Sequence, residues 1–210
     1  MKFNRVFEIS WIKTIYVNLN YFNLKTAIRF PILIGSKVLL TSIKGKIILG
    51  TQPRFGLVLI QNTELNLNGT WIINGKVRLK GGYNSLIYTA STGLLESGEN
   101  LLANGSVAIN CVERIKFGNN CLLAHNIEIL DTDFHAIIDI NGNRINHNKG
   151  ITLGDRVWIG SNSIILKGVK IENDIIIGAG SILTKDCVVS NGIYGGNPAK
   201  LIKTGTTWVL

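Results

Sequence analysis

From Ile151 to Lys203 the aliphatic positions recur every sixth residue. Leu153, Ile159, Ile165, Ile171, Ile177 and Leu183 keep one unbroken frame. Four positions after each stands a small or medium residue (Val157, Ser163, Val169, Ile175, Ser181, Cys187), and glycine follows directly at Gly154, Gly160 and Gly178. At about 100° per residue, six steps carry a helical side chain about 240° round the axis, so a helix would scatter these residues over three faces. An even period suits extended segments. Short strands turning at Gly, Asn and Asp, each sending an aliphatic residue inward, predict a parallel β-helix whose coils cover one another's apolar faces.

Upstream the pattern loosens. From Gly35 to Tyr88 alternating runs such as KGKIILG, FGLVLIQ and WIINGKVRLKGG are broken by turn residues, with Ile73 and Leu79 one step apart and Val77 and Tyr83 at the later position. The frame returns weakly between Ser97 and Ile109, shifts by two residues at CVERI, and runs regularly from Phe117 through Leu123 and Ile129. Leu153 lies a whole number of six-residue steps beyond Phe117. The intervening DTDFHAIIDINGNRINHNKG has lost the aliphatic frame, so it predicts a loop extruded from the solenoid at about residues 135–150, of the kind that covers a site. These readings divide the chain into a cap or amphipathic segment (1–34), a β-helix (35–203) and a tail (204–210). In the first of these, Phe3, Phe7, Ile9 and Ile12 fit one helix face imperfectly, leaving a short amphipathic helix or an irregular cap open. Near the C-terminus, Asn197-Pro198 breaks the extended run and AKLIK is expected to form a short helix or a terminal coil.

Composition narrows the partners. The 210 residues are enough for one continuous solenoid core and carry 22 basic against 13 acidic side chains, a net charge of +9. Such a balance suits nucleic acid, an acidic membrane surface or an anionic cofactor. No nucleic-acid-binding motif accompanies the charge, so nucleic acid is not expected. The N-terminal mixture of Phe3, Phe7, Trp11, Tyr16, Tyr21 and Phe22 with Lys2, Arg5, Lys13, Lys25 and Arg29 suits a membrane interface as well as a cap. The cap is the favoured reading, because a solenoid must cover its terminal coil, and contact of residues 2–30 with the inner membrane surface is a second reading beside it. No run reaches the ~18 apolar residues of a span and no secretory core is evident, giving a cytoplasmic expectation. Cys111, Cys121 and Cys187 have no CxxC spacing and sit in apolar repeat segments, which marks them as core residues of a reduced compartment.

Three runs, VWIGSNSIILKGVKI, IIIGAGSILTKD and GGNPAKLIK, resemble the hexapeptide-repeat acyltransferases, most nearly the polysaccharide and sugar O-acetyltransferases with a D-x-D-F-H run. The resemblance implies an all-β, left-handed parallel β-helix, a handedness that breaks the usual right-handed crossover rule. It implies acetyl transfer from acetyl-CoA to a carbohydrate hydroxyl, with no metal, in surface polysaccharide or glycolipid assembly. His135, closing ILDTDFH, matches the general base: a neutral imidazole takes the proton of a hydroxyl attacking the thioester. Asp131 or Asp133 then orients that imidazole or binds sugar hydroxyls. Trp158 matches the tryptophan beside the pantetheine arm. Gly160 and Ser161 match a turn whose amides lie near the thioester and offer donors to the developing oxyanion. Ala179, Thr184 and Lys185 match the coenzyme A groove, with Lys200 a further candidate for phosphate charge. An upstream Asn that contacts acceptors in several members is replaced here by Ser106, with Asn104 two residues earlier, so the acceptor stays open. The family also implies a homotrimer in which His135 of one chain works beside Trp158 of the next. His125 is expected at the surface and His147 within the loop.

Three other readings remain: an amino-sugar N-acetyltransferase, a carbonic anhydrase on the same fold, and a non-catalytic solenoid. The second needs three histidines on one metal, and the spacings of His125, His135 and His147 do not stack them on one corner. The third would show flat arrays of Thr, which the sequence lacks.

Overall fold

The computed structural model describes residues 9–50, 56–82 and 84–209; Phe3, Phe7 and Tyr83 lie outside these. Its strands form a left-handed parallel β-helix of three faces. The first face has nine strands from Ile32–Ile34 to Ala199–Lys203, the second seven from Leu39–Ile43 to Ile182–Leu183, and the third six from Lys46–Leu49 to Lys170–Ile171. Each coil visits the three faces in turn, giving seven coils. Inward side chains stack in columns. Leu65, Ile87, Ile109, Ile129, Ile165 and Leu183 follow one another up the second face, each in register with the next. All six are buried, each such side chain contributing about 1.5–3 kcal/mol relative to exposure.

The six-residue frame and its partner positions are both interior: Leu153 and Ile159 are buried, and so are Val157, Ser163, Ser181 and Cys187. The polar members are satisfied locally, Ser163 Oγ donating to the Gly160 carbonyl at 2.7 Å. Corners are turned by Asn and Asp in the left-handed region, among them Asn100, Asn120, Asn126, Asn162 and Asp174, residues that tolerate it better than others.

Coil length explains where the sequence pattern is clear. Ile32 pairs with Val58, Val58 with Val77 and Val77 with Leu101, so the early coils take 26, 19 and 24 residues. From Trp158 to Ile176 a coil takes 18, three six-residue steps. Leu122 pairs with Trp158, 36 positions on, so the fifth coil carries an 18-residue addition. It lies between the strands Ile127–Leu130 and Ile151–Leu153, where the second face meets the third.

The N-terminal segment is helical from Trp11 to Tyr21, and Ile9 bridges to Gly35 instead of joining the helix. The helix packs on Ile32–Ile34, the outer strand of the first face. Its buried Thr14 and Asn18 take the place of a further strand. Asn18 Nδ2 donates to the Ile32 carbonyl at 2.7 Å, while the amides of Ile32 and Ile34 donate to Asn18 Oδ1 at 3.2 Å and Thr14 Oγ1 at 3.0 Å. An otherwise open strand edge is thereby paired. At the far end Ala199–Lys203 is neither helix nor coil. It runs antiparallel to Ile193–Gly196 after a cis Asn197-Pro198 bond and forms the last strand of the first face.

Candidate active site

The extruded loop is held by polar side chains rather than by a core. At its root Asp131 is fully buried, and its carboxylate accepts the backbone N–H groups of Val112, Glu113 and Arg114, each at 2.8 Å. A carboxylate so engaged closes the turn of the preceding coil, with three of its about four acceptor sites taken and none of its surface open to solvent, so the structure gives Asp131 an anchoring role at the root of the loop. Asp133 is exposed and forms an ion pair with Lys167 of the sixth coil. Its Oδ2 also accepts from Asn146 Nδ2 at 2.7 Å. Lys167, and after it Asn146, holds the Asp133 carboxyl below the usual carboxylate range.

His135 is fixed through its backbone. Its N–H donates to the Asp133 carbonyl at 2.6 Å and its carbonyl accepts from Asn146 Nδ2 at 2.8 Å. The imidazole is exposed and makes no hydrogen bond among the described residues. The preceding Phe134 has φ +59°, a strained conformation for a bulky residue, and its ring packs 6.0 Å from Tyr88 of the third coil. Thr132 Oγ1 accepts from the Phe134 N–H at 2.9 Å and donates to Asn148 at 2.8 Å. The loop is thus pinned to the coils on both sides while its imidazole points free of any protein partner among the described residues.

The other expected residues fall on two edges of the second face. Trp158 is partly exposed on the first face, its ring 6.0 Å from Trp208. Trp208 is clamped in turn, donating its Nε1–H to the Arg156 carbonyl at 2.9 Å beneath the Arg156 guanidinium. Gly160 sits at the corner between first and second faces, where a Cβ would meet Ala179 N and Ile177 O at 2.7 Å. Its own N–H already donates to the Ile177 carbonyl at 2.8 Å, so it is not a free oxyanion donor and owes its identity to close approach between coils. The next amide is different. The N–H groups of Ser161 and of Ala179, one coil apart on that corner, have no partner among the described residues.

Ser106 lies on the same corner and lines, with Asn84, Asn126, Glu128 and Asn162, an open cleft of about 300 Å³. Asn104, two residues before it, donates its N–H to the Leu123 carbonyl at 3.0 Å. Thr184 and Lys185 are exposed at the opposite corner, where the loop emerges, and Lys200 is exposed on the last strand. Within one chain the loop with His135 therefore roots at one edge of the second face, and Ser161 and Ala179 stand at the other. His125 and His147 are exposed. The three cysteines are buried, and burial first of all pushes each thiol up to about 12, which removes them as nucleophiles at neutral pH.

Asn146, Lys167 and Trp208 were not singled out in the sequence. Lys167 had a signal there: Lys149, Lys167 and Lys185 are spaced by one 18-residue coil, which stacks them on the corner where the loop leaves.

Comparison with known proteins agrees with this architecture. The model of the hexapeptide repeat of succinyl-transferase matches residues 150–185. The polysialic acid O-acetyltransferase of Neisseria meningitidis is 46% identical over 156 residues, covering 67% of this chain and 72% of that protein. A polysialic acid O-acetyltransferase of Escherichia coli O1:K1 / APEC is 43% identical over 95 residues, 45% of this chain but 31% of the relative. Among solved structures, a crystallographic analysis of a polysialic acid O-acetyltransferase gives a TM-score of 0.59 at 27% identity, over 85% of this chain and 87% of that one. With a solenoid of six-residue steps, a loop carrying D-x-D-F-H and a relative of this identity over most of both chains, the protein belongs to the hexapeptide-repeat acyltransferase family, as an O-acetyltransferase.

Proposed function

We propose that the chain moves an acetyl group from acetyl-CoA to a hydroxyl of an acidic carbohydrate polymer, of the sialic-acid class on which its named relatives act. The observation that carries this reading is the His135 imidazole, exposed and unpartnered on a loop whose backbone is tied down by Asn146. The hydroxyl loses its proton to His135 as it attacks the thioester carbonyl, and the same proton passes to the departing thiolate. The Ser161 and Ala179 N–H groups are suited to receive the oxyanion that develops, and Trp158 and Lys185 to hold pantetheine and phosphate.

Because base and amides occupy opposite edges of one face, the complete site forms between copies in a homotrimer, His135 of one chain meeting Trp158 of the next. Exposed Ile137, Ile138, Ile140 and Ile145 give the loop an apolar outer surface suited to that contact. Incubation with acetyl-CoA and a panel of oligosialic acid, neutral oligosaccharides and amino sugars tests the reading. Ester-linked acetyl on sialic acid residues is expected. Acetyl on an amine, or thiol release with none of the acceptors, overturns it.

A further inference from the structure

The helix Trp11–Tyr21 is inside out. Two of its three buried positions are polar, Thr14 and Asn18 at 0% exposure, because they pair the edge of the first coil, and Val17 between them packs on the core. Most of its apolar side chains face away: Ile12 is 84% exposed, and Ile15, Tyr16 and Leu19 are exposed beside it. Leu24 (69%) and Ile28 (61%), in the turn that follows, add to the same end. A capping element of a soluble solenoid ordinarily turns a polar face outward; this one turns six large apolar groups to solvent.

Charge gathers at the same end. Residues 1–63 contain nine Lys and Arg and one acidic residue, whereas residues 64–210 contain thirteen and twelve. The first segment therefore carries +8 of the net +9. Among the described residues Lys25, Arg29, Lys37, Lys44 and Lys46 have no carboxylate partner, while Lys13 donates to the Ser36 and Val38 carbonyls at 2.9 and 2.7 Å. An acidic polysaccharide would account for the cations but not for the exposed isoleucines and leucines. A second copy would account for the apolar face but would bring two strongly positive ends together. An anionic bilayer answers both features, taking apolar side chains into the boundary between headgroups and acyl chains and meeting Lys and Arg with acidic headgroups.

We propose that the helical cap of the first coil docks the protein on an anionic lipid surface, with Ile12, Ile15, Tyr16, Leu19, Leu24 and Ile28 entering the interface. This inference is independent of the acceptor. The fifth coil lies four strand spacings from the first, so docking holds the loop about 20 Å above the bilayer.

The full-length protein is to be sedimented with vesicles of phosphatidylcholine alone and of phosphatidylcholine with one third phosphatidylglycerol. Binding to the anionic vesicles only, weakening with salt, is expected. Ile12→Ser/Leu19→Ser should bind at least about tenfold more weakly, even with each side chain only half buried in the interface. Lys25→Glu/Arg29→Glu should bind at least about twenty-fivefold more weakly, at about fivefold for each charge lost. Both variants alter exposed side chains and should keep wild-type circular dichroism and acetyl transfer to soluble acceptor. Failure to bind anionic vesicles overturns the proposal. So does binding untouched by Ile12→Ser/Leu19→Ser, which reduces the cap to a polyanion site. A change of sedimenting mass in that variant without lipid overturns it too, since a second copy then covers the face.

Discussion

Asn146→Ala is the sharpest test of how the loop presents His135. Asn146 is buried and makes three bonds that no other residue replaces: Nδ2 donates to Asp133 Oδ2 at 2.7 Å and to the His135 carbonyl at 2.8 Å, and Oδ1 accepts from the Ile137 N–H at 2.6 Å. In a dry interior the three would be worth about 4 kcal/mol together. Here Asp133, His135 and Ile137 are all exposed, so water takes over part of each bond and the net loss is about 2 kcal/mol. The loop lies outside the stacked core, so this loss falls on loop order rather than on global unfolding. An ordered fraction lowered by 2 kcal/mol corresponds to about a thirtyfold drop, and kcat for acetyl-CoA-dependent transfer should fall ten- to thirtyfold. The KM for acetyl-CoA should stay within about twofold, because none of the bonds of the Asn146 side chain is to Trp158 or Ser161. Thermal unfolding should shift by less than about 2 °C. Continuous assay of thiol release, run beside a melting curve, separates the two quantities. A variant with full kcat, or one whose activity loss is matched by a large fall in melting temperature, refutes the reasoning.

His135→Ala should lose about two to four orders of magnitude in kcat with the acetyl-CoA KM nearly unchanged, measured by the same assay; wild-type protein incubated with acetyl-CoA alone should show no acetyl adduct in intact mass. Asp133 gains its native bonds as a carboxylate, so its contribution to loop order is fully present above the unfolded value near pH 4 and is lost as pH falls through its lower native value. Limited proteolysis at residues 135–150 should therefore rise only in strong acid, and in Lys167→Met the onset should move to higher pH. Asp131→Ala leaves three backbone N–H groups without their acceptor and should cost about 3 kcal/mol of global stability by denaturant titration; a loss below 1 kcal/mol counts against its anchoring role.

The later coils were legible because they repeat without insertion. Where a coil takes 18 residues, every sixth residue points inward by arithmetic, and Leu153 through Leu183 announce the fold. Early coils of 26, 19 and 24 residues turn their corners with different numbers of residues, so their columns exist in space without a fixed period in sequence. The loop was visible as the place where the frame lapses. Its internal wiring was not, because hydrogen bonds such as Asn146 to His135 follow from a fold of the loop that no periodicity encodes. Asp131 and Asp133 look alike two residues apart, yet one faces the coil interior and the other solvent. The cap shows the limit of hydrophobicity as a guide. Its sequence left a short amphipathic helix or an irregular cap open, and the structure makes Trp11–Tyr21 a helix that turns Thr14, Val17 and Asn18 inward and Ile12 outward.

Those two side chains also decide how long the molecule can be. Every interior strand of a parallel solenoid has neighbours on both sides, and a terminal strand left bare would template another chain as readily as its own. Thr14 and Asn18 occupy the hydrogen-bonding groups of Ile32 and Ile34, and at the other end the first face closes on the antiparallel Ala199–Lys203 arm, whose reversed direction ends the parallel stack. At its first coil the protein is thereby closed to a further strand rather than open as the end of a fibre. Truncation that strips the helix while leaving all seven coils would expose a growing end, and its consequence would be filament formation, visible as rising light scatter and thioflavin-positive material from an otherwise folded protein.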